Sequence, residues 1–129
     1  LQVHHKDLNS LNSSHIVVGH RWETHFTVEG KNTVEGRSNV SDEGALVVPQ
    51  GRADLLIVGN KDRTLNVFWQ LPRASGGQSD QWQPYGKNAT LPGSAPKYGE
   101  TVYVGLITYA QMQVGLPFVG TADQLWINY

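Results

Sequence analysis

Apolar residues in this chain recur at every second position, in short runs, and nowhere at the three-and-four spacing of a long amphipathic helix. Residues 20–28 alternate cleanly. His20, Trp22, Thr24, Phe26 and Val28 fall on one side of a predicted strand and are expected to face the core. Residues 64–71 alternate as well, with Leu65, Val67, Trp69 and Leu71 on one face. Residues 54–58 form a compact apolar run, read as a strand buried on both faces. Shorter strands are predicted at 15–18, where Gly19 ends the pattern, and at 45–48. Residues 101–109 are apolar at nearly every position, and 124–128 read as a terminal strand. Turn chemistry separates these runs. Glu29-Gly30-Lys31-Asn32, Ser41-Asp42-Glu43-Gly44, Pro49-Gln50-Gly51 and Gly59-Asn60-Lys61-Asp62 are the clearest breaks, the last of hairpin type. The first fourteen residues are polar and irregular, with one helical turn at 7–11. About eight strands with frequent turns predict an all-β fold, a β-sandwich or partly closed barrel. The whole of 1–129 reads as one domain.

The stretch 72–99 departs from this rhythm. It holds Gly76-Gly77, four prolines, Trp82, Tyr85 and Tyr98, with few aliphatic residues. A connection of that length is usually functional or mobile. It is expected to contain one short strand near 81–85 and otherwise to form a long aromatic loop. The neighbours of Trp82 are Ser79, Asp80, Gln81, Gln83 and Pro84, none of which buries an indole by pattern. A ring flanked by amides and a carboxylate has the composition of a sugar site. The apolar face of a pyranose stacks on the ring and Asp, Asn or Gln side chains bind its hydroxyls. The same set suits a choline headgroup through cation–π contact. The plain alternative is that Trp82 folds back as a plug over one end of the sandwich. Trp22, Trp69 and Trp126 lie among aliphatic residues and are assigned to core packing.

Composition narrows the partners. The charged fraction is 16%, the net charge −1, and there are 14 glycines and 6 prolines. No basic excess is present to neutralise phosphates, which disfavours nucleic acid and acidic membranes. No apolar run has the length of a transmembrane helix. Cysteine is absent, which excludes disulfides and thiolate metal sites. Three sequons, at Asn12, Asn39 and Asn88, lie in predicted loops that could accommodate glycans and lean toward a secreted protein, with coincidence as the alternative. The chain starts at Leu1 and not at Met, as after processing or excision of a domain.

Catalytic constellations are weak. All five histidines lie in the first 25 positions, but His20 and His25 differ by an odd number and point to opposite sides of one strand. A metal site is therefore not expected, and no cofactor is implied. There is no Gly-x-Ser-x-Gly turn and no phosphate-binding glycine loop. Glu23, Glu29, Glu35 and Asp42 read more simply as solvated strand and turn residues than as a glycosidase pair.

Residues 48–63 run Val-Pro-Gln-Gly-Arg-Ala-Asp-Leu-Leu-Ile-Val-Gly-Asn-Lys-Asp-Arg, followed by Thr64-Leu65-Asn66-Val67-Phe68 and Pro72. This segment resembles the actinoporins, whose order of Val-Pro, basic residue with Ala, Leu-Leu strand and Gly-x-Lys-Asp turn is similar. Fungal aegerolysins and fruit-body lectins share the sandwich. The match covers about a quarter of the chain. It lacks one intervening strand, a second loop tryptophan and an amphipathic N-terminal helix, so pore formation is not carried over. The resemblance implies glycan or lipid-headgroup binding by loops at one end of the sandwich, with Trp82 and Tyr85 in the aromatic-loop positions.

The expectation is a non-catalytic, lectin-like module. Trp82 stacks on a sugar; Asp80, Gln83 and Asn88 hydrogen-bond it; Tyr85 and Tyr98 wall the site. Weak single-site affinity favours multivalency, so a homo-oligomer is expected, pairing through the terminal strand. The alternatives are a lipid-binding or cytolytic protein of actinoporin or aegerolysin type, and a structural subunit such as a viral or appendage β-domain.

Overall fold

The computed structural model describes residues 1–21, 25–40, 47–72, 81–109 and 119–128. Among the described residues the fold is all-β, with eight strands in two antiparallel sheets arranged as a sandwich. The strands are β1 (Gln2–His5), β2 (Ser13–Arg21), β3 (His25–Val34), β4 (Arg37–Val40), β5 (Asp54–Gly59), β6 (Leu65–Gln70), β7 (Gln83–Pro84) and β8 (Val102–Gly105). One sheet has the order β4-β3-β2-β1-β8; the other has the order β5-β6-β7. Ile16 and Val28 from the first sheet meet Val67 from the second, with Val48, Tyr85 and Leu91 completing the buried cluster. Among the described residues no helix is long and apolar enough to cross a membrane.

The β5–β6 hairpin follows its sequence signals. The Asn60 N–H donates to Thr64 O at 2.9 Å and the Arg63 N–H to Asn60 O at 2.9 Å. Asp62 Oδ1 accepts from the Thr64 N–H and from its hydroxyl. That closed turn fixes the register Gly59↔Leu65 through Asp54↔Gln70. The helical turn is also present, as a 3-10 turn at Leu8–Ser10 with the Asp7 carboxylate accepting from the Asn9 N–H.

Several expectations are corrected. The opening residues are not irregular. Gln2–His5 is an inner strand, hydrogen-bonded to β2 on one side and β8 on the other, and those two ladders override its polar composition. Gly19 does not end a strand, since β2 runs through it to Arg21. The run 20–28 is two arms of a hairpin, with Arg21 opposite His25; Trp22 and Thr24 lie outside the described residues. Phe26 is exposed, while Val28 is in the core. Glu29–Asn32 is not a turn but the middle of β3, and the chain reverses at Glu35-Gly36, both at positive φ.

Gly30 has a different reason for being glycine. A Cβ there would meet Leu91 Cδ2 and would lie 2.7 Å from Tyr85 Cε1. Residues 54–58 are not buried on both faces, because β5 is an edge strand and Val58 is exposed. Residues 124–128 form no strand: Leu125, Trp126 and Ile127 are exposed, so Trp126 is not a core residue. The turn at 41–44 and the first half of the strand at 45–48 lie outside the described residues; Val47 makes a single bridge to Thr27 and Val48 is buried in the core.

Candidate functional site

The described part of the aromatic stretch, 81–99, does not hang free. It supplies β7 to the smaller sheet and sends Tyr85, Leu91 and Tyr98 inward. The Tyr85 N–H donates to Val67 O at 2.9 Å, which sets its ring on the inner face. Its side chain is 0% exposed. Its hydroxyl accepts from the Gly30 N–H at 2.8 Å, which ties the two sheets together. Tyr85 therefore cannot wall a surface site: a phenol with a buried backbone partner is stabilised inside. Tyr98 is also interior. Its hydroxyl donates to Ser14 Oγ at 2.8 Å and lies 3.3 Å from Val3 O. Burial pushes its phenol up to about 12, so it remains a neutral donor.

Trp82 behaves otherwise. It precedes β7 and is 37% exposed. Trp69 pairs with Gln83 and Phe68 with Pro84. The ladder ends there; extended by one residue, the same register would place Trp82 opposite Gln70. By the alternation of the pleat, Trp82, Pro84, Phe68 and Gln70 share the outer face, opposite to Val67 and Tyr85.

On that face Gln70 pairs with Asp54 of β5, and its Nε2 donates to Asp54 Oδ2 at 3.0 Å. A carboxylate only accepts, so the amide nitrogen must face it. Gln70 Oε1 is left buried with no hydrogen-bond partner, and Gln70 itself is 7% exposed. That extended register puts the exposed Trp82 next to Gln70, whose buried acceptor lacks a donor, with the Asp54 carboxylate one strand further across the sheet.

The expected site residues do not converge. Gln83 adjoins Trp82, while Asp80 lies outside the described residues. Asn88 sits on the 3-10 turn Lys87–Ala89, where its backbone carbonyl accepts from Asn66 Nδ2 at 3.4 Å. Asn66 and Gln70 are four positions apart on β6, which is about 13 Å at the rise of a strand. Asn88 therefore belongs to the far end of the smaller sheet, not to the surroundings of Trp82. Asp54 and Gln70 did not stand out in the sequence. A turn at 59–62 would set position 54 against position 67; the pairing of 54 with 70 follows only from the longer turn at 60–64, with Gly59 opposite Leu65.

Of the sequons, Asn12 lies between β1 and β2, and its Oδ1 accepts from the Glu35 N–H at 2.8 Å. Asn39 is on β4 and not in a loop. Its amide lies over Gly93, where a Cβ would come within 2.5 Å of Asn39 Nδ2. Asn88 is exposed.

A second concavity lies near the Asn88 end, between the two sheets. It has a volume of about 290 Å³. Ser14, Asn32 and Tyr98 line it, joined by hydrogen bonds from Tyr98 to Ser14 and from Ser14 to Asn32 Oδ1 at 2.7 Å. Arg63 also lines it.

Comparison of the chain with protein-family models, with curated proteins and with solved structures finds no match.

Proposed function

We propose that this protein is a non-catalytic carbohydrate-binding module whose contact surface is the outer face of the β5–β6–β7 sheet around Trp82. The observation that carries the reading is the unpaired, buried Gln70 Oε1 beside an exposed indole. A buried acceptor left unpaired costs about 1–3 kcal/mol. With the Gln70 side chain turned outward, a sugar hydroxyl would pair with Oε1 and recover that cost while the pyranose face covers the Trp82 ring. Asp54 stands on the same face for a further hydroxyl, whereas Gln83, paired with Trp69, falls on the opposite face and is not part of the site. Ser10 Oγ, Thr27 Oγ1 and Trp69 Nε1 are also buried without partners, but Gln70 is the one on this face.

A glycan array followed by titration of the best ligand tests the reading, with Trp82→Ala and Gln70→Leu compared with the parent. Loss of binding in Trp82→Ala, with an unchanged far-UV spectrum, is the expected result. Equal binding by Trp82→Ala and the parent overturns it. Binding to sphingomyelin liposomes without any glycan hit would favour the lipid-headgroup alternative.

A second reading has its own support. Leu125, Trp126 and Ile127 present exposed apolar surface on one short segment, which suits an assembly subunit whose tail is covered by a neighbour.

A further inference from the structure

The cleft between the sheets has a chemistry unlike that of the Trp82 face. Its hydroxyls are already committed. Ser14 Oγ donates to Asn32 and accepts from Tyr98. Thr64 Oγ1 donates to Asp62 Oδ1 at 2.6 Å and accepts from Asn60 Nδ2 at 3.0 Å. Thr90 Oγ1 donates to Lys87 O at 2.7 Å. A polyhydroxylated ligand would find few open partners.

What remains open is apolar wall, from Leu65, Leu91, Ala95 and Pro96, and one cation. Arg63 is held at φ 67 by the closed turn at 60–64, a left-handed backbone that a non-glycine residue adopts at a cost. Among the described residues its guanidinium has one acidic neighbour, Glu100 Oε1, at 3.6 Å, beyond hydrogen-bond reach, and both side chains are more than half exposed. An exposed pair of that length contributes little. The guanidinium is thus available for a bidentate anion.

We propose that this cleft binds a small amphiphilic anion, its apolar body between Leu65, Leu91 and Pro96 and a single carboxylate, sulfate or phosphate group on Arg63. The volume lies at the lower end of small-molecule sites, roughly 300–1,000 Å³, so the body is short. Glu100 competes with the bound anion for Arg63 and repels it. The site is independent of the sugar reading, since it lies at the other end of β6 from Trp82.

The test is a titration of the ¹⁵N-labelled protein with octanoate, with octanol and acetate as controls. Saturable shifts at the amides of Leu65, Leu91 and Ala95 are expected with octanoate, and much weaker ones with either control. Arg63→Gln should weaken octanoate about ten- to a hundredfold, the loss of one charge-assisted contact. Glu100→Gln should tighten it, a change of opposite sign that general destabilisation would not produce. Ala95→Trp, at an exposed position of the lining, should block it while the fold is retained. Trp82→Ala should leave it unchanged. Octyl sulfate and octyl phosphate in place of octanoate identify the preferred head group. Absence of saturable shifts at the cleft amides, or equal binding by Arg63→Gln, overturns the proposal. Shifts gathered around β7 instead overturn it equally, leaving the sugar reading to its own assay.

Discussion

At the residue scale, Gly30 and Tyr85 constrain each other across the sandwich. Tyr85 is read from sequence as a site aromatic because it sits among prolines and glycines. Its true partner is on β3, and nothing in the local sequence reveals a hydroxyl acceptor for the Gly30 N–H across the sandwich. Tyr85→Phe keeps the ring but leaves that N–H unpaired in the core, and should lower unfolding free energy by about 1–3 kcal/mol. Gly30→Ala forces Leu91 and Tyr85 apart and should cost at least as much, about 1–3 kcal/mol or more. Urea denaturation of both variants measures this. If Gly30 were a turn glycine, as its neighbours suggest, Gly30→Ala would leave the core untouched and the two variants would differ sharply. Trp82 is the opposite case, where the reading from immediate neighbours agrees with its exposure.

At the element scale, strands with their own alternation and a hairpin turn at one end were legible. β6 is the example: Leu65, Val67 and Trp69 face the core or its border, and the observed bounds lie within one residue of those expected. β1 was not legible, because its hydrogen bonds come from two distant strands and its four residues carry only one buried side chain, Val3. β3 was misread through Gly30, where turn chemistry and steric need ask for the same residue.

Neighbouring strands also set a titration. His15 on β2 lies opposite Lys31 on β3, and Tyr109 covers both, with its hydroxyl 3.4 Å from His15 Nε2 and its ring 5.6 Å from Lys31 Nζ. Burial first, then the Lys31 and Leu1 ammonium charges, lower His15 to about 4. Between that value and the ordinary 6.5 the unfolded chain binds more protons at this residue than the folded one. Stability should therefore fall as pH drops from about 6.5 toward 4 and be restored above that window. His15→Gln should flatten that part of the profile of denaturation midpoint against pH. A profile unchanged by the substitution would remove His15 as its source.

At the scale of the whole molecule, the two-sheet arrangement was foreseeable from the frequency of turns, whereas the convergence of the site was not. Chain proximity suggested that Trp82, Asn88 and Tyr98 meet. The structure sends them to a sheet face, a far turn and the interior, since sequence distance within 81–99 says little once β7 has joined β6. The exposed segment 119–128 is anchored by Arg52 to Asp123 at 2.6 Å, a pair open to solvent. If its apolar side chains are buried by a neighbour, sizing chromatography should show concentration-dependent association. Leu125→Ser with Trp126→Ser should then abolish it without shifting the thermal midpoint. A monomer at all concentrations would dismiss that role for the segment.

The larger sheet is closed by pairing its earliest strand with its latest, Val3 against Val104. During synthesis β1 would emerge long before the partner that covers its second edge. Val3 and the open amides of β1 would wait, half-zipped to β2, until Val102–Gly105 had been made. A chain halted before β8 would expose a sticky seam to every other nascent chain nearby, so recombinant yield should depend on that join more than on any residue of the proposed sugar-binding face.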